Sequence, residues 1–367
     1  MISPSPHTNL TYFPPPESKG GWRYLLEPDE IRSLAGMDSQ KLNLALQTHS
    51  FLYGGGSWSI VIIRHGYLVR EAYTFNVLPH TRFDIWSGTK SFTGTAWGML
   101  FEDSNQNSLP DGVHVQLDSH AYDSILEGRP VTDVRKDQIT FRHLLTMTSG
   151  IPGEASGVMG MPTATDIGAF EHALGQAPNR YGRWTNKLVA DPGTHWEYSD
   201  PGMCHLALAF VHITRQEISQ YMESRVFLPI GIENLSWDVQ GGSGFLGPHT
   251  NAHTGVHVSA RELARFGYLA LNGGEWAGRP IIPGWWMDLA TRTSQAYNPE
   301  YGFTWWVNTP GTRWLKIPRD AFALSGYRSN RCYIIPSLDL VVVRIGSGPS
   351  TWEEQGLITG VVNAVVD

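Results

Sequence analysis

Cysteine is all but missing: Cys204 and Cys332 are the only two among 367 residues. They lack metal-ligand spacing and cannot form a disulfide framework, which reads as two free thiols in a reducing compartment. Charge is sparse too, at 17% of residues, with a net charge of -7 and no block of one sign. That pattern argues against nucleic acid and against anionic membrane surfaces as partners. No run approaches the roughly 18 apolar residues that a membrane span needs. Met1-Ile-Ser-Pro-Ser-Pro-His7 is polar and Pro-rich, so no signal peptide is visible and the cytoplasm is the expected location. There is no internal repeat, no dinucleotide fingerprint, no P-loop and no complete Gly-x-Ser-x-Gly.

What the chain has in quantity is aromatic side chains, with fourteen each of Trp, Tyr and Phe. They fit an aromatic-walled pocket or, equally, a large aromatic core. The 41% apolar fraction suffices for an extensive core, and the length for roughly two domain-sized units or one large one.

Residues 1–37 read as an irregular arm, because Pro14-Pro15-Pro16 and Gly20-Gly21 block regular structure. Asp38 caps an expected helix to Leu52, and Ser57–Arg64 with Tyr67–Thr74 flank His65-Gly66 as a hairpin. The triple glycine Gly54–Gly56 precedes a strand and reads as a loop. Residues 103–254 carry turns and short helical patterns: Ile139–Thr148, a loop-rich Gly153–Pro192, Pro201–Ile213 and Gln216–Phe227. Ser259 and Glu262 form a capping box ahead of a helix that ends at Asn272-Gly273-Gly274. Tyr301–Val307, Cys332–Ile335 and Leu340–Ile345 read as strands, and Thr351–Val366 as a closing helix. Strands at both ends of the chain predict an α/β (α+β) fold, with one antiparallel sheet covered by helices on both faces. Its discontinuous domain comprises residues 38–102 and 255–367, and residues 103–254 form an inserted, mainly helical domain.

Three stretches bear chemistry. Ser87 and Lys90 form the one Ser-x-x-Lys in the chain. At i, i+3 on a helix the hydroxyl and the amine stack on one face within hydrogen-bonding reach. A serine needs such a neighbouring base, and a lysine serves as one only where burial or positive charge lowers its pKa. The apolar setting of Phe83, Ile85, Trp86, Phe92 and Trp97 would supply the burial. Taken alone, the pair is a weak signal that a capping serine beside a snorkelling lysine explains better, so the rest of the chain must decide. In the second stretch, Tyr198 follows a Pro-Gly turn and precedes a helix, where a phenol can project into a cleft as acid and base. In the third, Ala323-Leu-Ser-Gly-Tyr-Arg-Ser-Asn330, the glycine allows a substrate to approach closely. The N–H after it can form half of an oxyanion hole, with the Ser87 N–H as the other half.

In that order the three pieces resemble the class C β-lactamase and penicillin-binding-protein-like serine hydrolase family, with its Ser-x-x-Lys, Tyr-x-Asn and Lys/His-Thr/Ser-Gly motifs. Ser87-Gly-Thr-Lys90 matches the first motif. Tyr198-Ser-Asp200 matches the second with Asp for Asn, and Leu324-Ser325-Gly326 the third with Leu for the cation. The likeness extends through Arg142–Pro152, Ser259–Gly267 and Tyr333–Val343. It implies a nucleophile at Ser87, a base at Lys90, an acid/base at Tyr198 and an oxyanion hole from the Ser87 and Tyr327 amides. It also implies substrate contacts from Asp200, Leu324, Ser325, Gly326, Arg328 and Trp184, with no cofactor and no metal. Gly-Tyr-x-x-Asn before a Pro-centred hairpin resembles the esterase and nylon-oligomer-hydrolase branch.

The departures bear on substrate. Leu324 cannot attract a carboxylate, which weighs against β-lactams and peptidoglycan, although Arg328 lies four residues on. Asp200 near Lys90 would favour the ammonium and weaken the base unless it turns away or pairs elsewhere. The leading expectation is a hydrolase of a small ester or amide through an acyl-serine. An acyltransferase to a small-molecule alcohol, a β-lactamase or DD-peptidase, and a silent binding protein are the alternatives. His249, His253 and His257 recur every four residues, but Pro248 and Gly255 speak against the helix a metal site would need. The oligomeric state is left open.

Overall fold

A computed structural model describes residues 12–53, 55–158, 168–241, 244–347 and 354–366. Gly54, part of the expected loop after Gly153 and the first residues of the expected last helix lie outside that set.

The large sheet has seven strands: β1 (Arg23–Tyr24), β2 (Trp58–Arg64), β3 (Tyr67–Tyr73), β4 (Trp306–Val307), β5 (Phe322–Gly326), β6 (Asn330–Ile335) and β7 (Leu340–Gly346). Their spatial order is β1-β3-β2-β7-β6-β5-β4, antiparallel throughout except for β1, which runs parallel to β3. The helices are α1 (Pro28–Ala35), α2 (Ser39–Tyr53), α3 (Thr89–Asn105), α4 (Phe141–Leu145), α5 (Ala169–Leu174), α6 (Asp200–Thr214), α7 (Ile218–Met222), α8 (Ala260–Leu271), α9 (Gly284–Ala290) and α10 (Glu354–Val362).

Period-2 alternation splits the central strands between two cores. Val61, Ile63, Val341 and Val343 face α3 and α8. Ile60, Ile62, Leu340 and Val342 face the opposite side, with Leu42 and Leu46 of α2 and Leu357 and Ile358 of α10. Burial on both faces explains why β2 and β7 read as unbroken apolar runs. The β2–β3 turn holds His65 and Gly66 at φ 50° and 71°, the left-handed pair that such a hairpin turn requires. Asp38 Oδ1 caps α2 by accepting from the Gln40 and Lys41 amides at 2.9 and 3.1 Å.

Two expectations are corrected. The arm is not irregular throughout: it contributes β1 and α1 and is strapped down by buried polar groups. Arg265 of α8 is fully buried and donates to the Pro14, Pro15 and Ile230 carbonyls and to Glu17. Arg23 lies between the Tyr12 and Tyr67 rings, 4.2 and 3.5 Å from their centroids. Arg265→Met leaves the Pro14 and Ile230 carbonyls without their buried donor, and is expected to lower unfolding free energy by about 3 kcal/mol in urea titrations. Stability within about 0.5 kcal/mol of wild type would show that the strap contributes nothing. In the second case, Tyr301–Val307 is a strand only at β4. Residues 301–305 close a tight turn, with the Gly302 amide donating to the Trp305 carbonyl at 2.8 Å.

Among the described residues, the stretch from 74 to 305 adds no strand to the large sheet. It does form a small sheet in which Val256–Val258 pairs with Phe83–Asp84 and with Ser236–Trp237. That pairing brings the 251–255 turn beside the start of α3. No helix among the described residues is long and apolar enough to cross a membrane.

Candidate active site

Ser87 sits in the 3-10 turn Trp86–Gly88 that leads into α3. One turn on, Lys90 is buried and its Nζ donates to Ser87 Oγ at 3.0 Å and to the His253 carbonyl at 3.2 Å. The i, i+3 spacing therefore brings the two groups together, and the burial comes from α3 itself, which is enclosed along most of its length.

Tyr198 is positioned by backbone contacts on both sides. The Glu154 amide donates to the Tyr198 carbonyl at 2.9 Å, and the Glu197 amide to the Met147 carbonyl at 2.9 Å. The Glu197 carboxylate accepts from the Gly153 and Ser156 amides at 2.8 Å each. A Cβ on Gly153 would lie 2.1 Å from the Tyr198 carbonyl oxygen, so this close pairing requires a glycine. Ser199 then caps α6, its Oγ accepting from the Gly202 amide at 3.1 Å. The Tyr198 ring centre lies 4.6 Å from Lys90 Nζ.

Asp200, the first residue of α6, is not turned away from the lysine. Its Oδ1 is 2.7 Å from Lys90 Nζ, and its Oδ2 is 3.6 Å from His253 Nδ1. Burial alone would lower the Lys90 pKa, but the Asp200 carboxylate, with Tyr198, holds it above the usual lysine value. Burial opposes ionisation of Asp200, yet Lys90 and His253 keep its pKa below the usual carboxylate value. Burial raises the Tyr198 phenol despite the neighbouring ammonium, and pushes His253 down to about 4. At rest, then, the site holds an ammonium–carboxylate pair, a neutral phenol and a neutral imidazole.

β5 closes the third side. The Gly326 position lies against the Ser87 turn, and β4 pairs with β5 only at Phe322 and Ala323, leaving Leu324–Gly326 beyond its reach. Leu324, expected to touch substrate, is fully buried and packs on Gly88, forming a floor behind the turn. Asp200, also expected to touch substrate, faces inward to Lys90. Ser325 is partly buried opposite Arg331. Tyr327 and Trp86 are both exposed and meet edge to face at 5.4 Å beside Ser87, with Arg328 5.7 Å from the Tyr327 ring centre. Trp184 is half exposed in the loop before Asp191.

Several neighbours were not singled out in the sequence. Trp306 stacks on Tyr198 at 6.1 Å, and Tyr301 and Trp196 complete an aromatic wall. The aromatic count was its only signal. His253 was weighed only as one of three evenly spaced histidines. They find separate acids: His249 pairs with Glu217 at 2.8 Å, His257 with Asp238 at 3.1 Å, and His253 faces Asp200. Among the described residues no group of three His, Cys, Asp or Glu is placed to hold a metal.

The Beta-lactamase family model matches residues 53–362, most of the chain. The chain belongs to the beta-lactamase family. Its fold is accordingly the β-lactamase and transpeptidase type. Protein flp of Staphylococcus aureus is 26% identical over 194 residues, covering 49% of this chain but only about a third, 34%, of that protein. A Bacillus anthracis protein named for 6-aminohexanoate-dimer hydrolase activity superposes with a TM-score of 0.66 at 20% identity, over 96% of this chain and 88% of that one. EstCE1, described as a hydrolase with promiscuous acyltransferase activity, gives 0.67 at 15% identity, over 89% and 99%. At such identities the two structures speak for the fold.

Proposed function

We propose that this protein is a cytoplasmic, cofactor-free serine hydrolase that cleaves a small ester or amide through an acyl-Ser87 intermediate. The observation that carries the reading is the 3.0 Å contact between Lys90 Nζ and Ser87 Oγ, with the Tyr198 ring centre 4.6 Å from the same Nζ. Ser87 Oγ attacks the acyl carbon and its proton leaves through Lys90. Tyr198 protonates the leaving group and then activates the water that releases the acyl chain. The Ser87 and Tyr327 amides receive the oxyanion, and the helix start at Ser87 favours that negative charge.

The aromatic wall around Tyr198, with no cation at position 324 to receive a carboxylate, supports an uncharged, apolar acyl group over a β-lactam or peptidoglycan carboxylate. Ser325, Gly326, Arg328 and Trp184 line the approach on this reading. The 6-aminohexanoate-dimer name of one similar structure supports a small linear amide, and the acyltransferase activity named for EstCE1 keeps acyl transfer as the second reading.

A fluorophosphonate probe is expected to add once per chain, on Ser87 by peptide mapping, and p-nitrophenyl butyrate to give a burst of p-nitrophenol. An unlabelled chain, or an adduct elsewhere, overturns the assignment. Faster turnover of a chromogenic cephalosporin than of the ester makes it a β-lactamase. A butyrate ester formed in preference to free butyrate when alcohol is added makes it an acyltransferase.

A further inference from the structure

The contacts behind Lys90 run in one direction. Cys204 Sγ donates to Gln240 Oε1 at 3.6 Å, which turns the Gln240 Nε2 donors to His253 Nε2 at 3.0 Å. An amide nitrogen donates only, so His253 Nε2 accepts and the imidazole proton sits on Nδ1, the nitrogen that faces Asp200 Oδ2. From the other side Lys90 Nζ meets Asp200 Oδ1 at 2.7 Å. Cys204, Gln240, His253 and Lys90 are all buried. The ammonium pairs with this carboxylate, and the imidazole N–H stands 3.6 Å from its other oxygen.

We propose that Asp200 is the terminal proton acceptor of this site and that His253 is its positioning residue. The proposal rests on the acyl-Ser87 reading above. An ammonium paired with a carboxylate has no lone pair for the serine proton. As Ser87 Oγ bonds to the acyl carbon, its proton passes to Lys90 Nζ while one Lys90 Nζ–H proton passes to Asp200 Oδ1. The carbonyl π pair moves onto oxygen. Charge balances: the carboxylate becomes a neutral acid, the lysine stays an ammonium, and the negative charge reappears on the oxyanion. When the intermediate collapses, Tyr198 protonates the leaving group, and the proton on Asp200 returns through Lys90 to restore the phenol. The His253 Nδ1–H, 3.6 Å from Oδ2, is too far for a hydrogen bond and acts on that oxygen as a nearby dipole, which leaves Oδ1 toward Lys90. The arrangement works as a serine–lysine–aspartate relay, with the histidine holding the acid.

Other groups act on Asp200 and bear on its titration: Lys90 from α3, Tyr198 and Cys204 from its own segment, Glu154 after α4, and Tyr301 before β4. Burial pushes His253 down to about 4, so above that pH it is neutral and a single donor.

The test follows phosphonylation of Ser87 by the fluorophosphonate, and kcat and KM for p-nitrophenyl butyrate, from about pH 4 to about pH 10. Asp200→Asn is isosteric, and is expected to lose about 10²-fold or more in kcat at every pH, with KM changed less than about threefold. His253→Leu is expected to lose about tenfold and to move the acid limb up, because a carboxylate that loses a neighbouring N–H dipole protonates more easily. His253→Asn, whose amide N–H replaces Nδ1–H, is expected to restore both. An Asp200→Asn enzyme that stays active, with its pH curve moved down, means that Lys90 works as a free amine; this overturns the proposal. A His253→Leu loss without movement of the acid limb overturns the positioning role. If Asp200→Asn does not fold, a proton inventory on the wild type reads the same point: two protons in flight give a bowed plot, and a straight one overturns the relay. A wild type that takes no label overturns the hydrolase reading and this one together, whereas equal labelling of wild type and Asp200→Asn overturns this one alone.

Discussion

Lys90→Ala is expected to lose both catalysis and stability, and the two losses respond differently to pH. Turnover of p-nitrophenyl butyrate should fall by about 10³-fold at every pH, because the proton path from Ser87 is gone. Stability should fall by about 4 kcal/mol near neutral pH, the order found when one partner of a buried pair is removed and the other stays charged. The pair is buried on the lysine side and largely so on the aspartate side, so little of that figure is screened by solvent. In the wild type the folded Asp200 pKa is depressed and the folded Lys90 pKa is raised. The pair's contribution is therefore complete between the unfolded values, about 3.9 and about 10.4. It is lost below that window as pH falls through the depressed folded Asp200 value, and above it as pH rises through the elevated folded Lys90 value. In the variant, burial without a partner raises Asp200, so the variant is most stable in acid and weakens as pH rises through that raised value. Urea unfolding should thus show a wild-type advantage that is widest near neutrality and narrows toward about pH 4. Lys90→Met, which keeps most of the volume, should show the same pH dependence with a smaller cavity cost. A gap that does not change with pH in either variant would sink the ion-pair account.

Much of the fold was legible because its signals are local. The left-handed pair at His65 and Gly66, the caps at Asp38 and Ser259, and the apolar runs of β2 and β7 each announce one element. The strand count at the two chain ends then gave the architecture. The site was legible where spacing alone fixes geometry, as for Ser87 and Lys90. What stayed hidden depends on packing between distant segments. Whether Asp200 turns toward Lys90 is decided by how α6 starts against α3, through the Ser199 cap and the Glu154–Tyr198 backbone pairing. His253 reaches the site only because Val256–Val258 pairs with Phe83–Asp84, more than 160 residues earlier in the chain, as the His253–Lys90 separation of 163 shows. Its even spacing with His249 and His257 suggested a common face, but the turns between them separate the three. Leu324 could not be oriented without the phase of β5, which places Leu324 and Phe322 in one core and Ala323 in the other. The proline and glycine runs of the arm marked real breaks. They gave no sign of the distant arginine, Arg265, that holds the arm down.

Gly326→Ala is expected to be nearly as damaging as loss of the lysine, for a reason unrelated to backbone conformation. Gly326 has φ -125°, which alanine adopts without strain, so the usual cost of replacing a left-handed glycine does not arise. The constraint is space. A Cβ there would lie 1.9 Å from the Ile85 carbonyl oxygen and 3.1 Å from the Gly88 nitrogen, both main-chain atoms that cannot rotate aside. The end of β5 must therefore back away from the Ser87 turn by more than an ångström, and it takes the Tyr327 amide with it. A misplacement of about 1 Å costs on the order of 10²-fold in rate, and removal of an oxyanion donor costs about 10²- to 10³-fold. Accordingly kcat for p-nitrophenyl butyrate should fall by about 10²- to 10³-fold, with KM changed by less than about threefold. Gly273 provides the converse control: its φ is +63° and a Cβ there would meet nothing within 4 Å. Gly273→Ala should lower stability by about 1 kcal/mol and leave turnover untouched. If Gly326→Ala instead behaves like Gly273→Ala, the strand does not sit on the Ser87 turn, and the Tyr327 amide has no claim on the oxyanion.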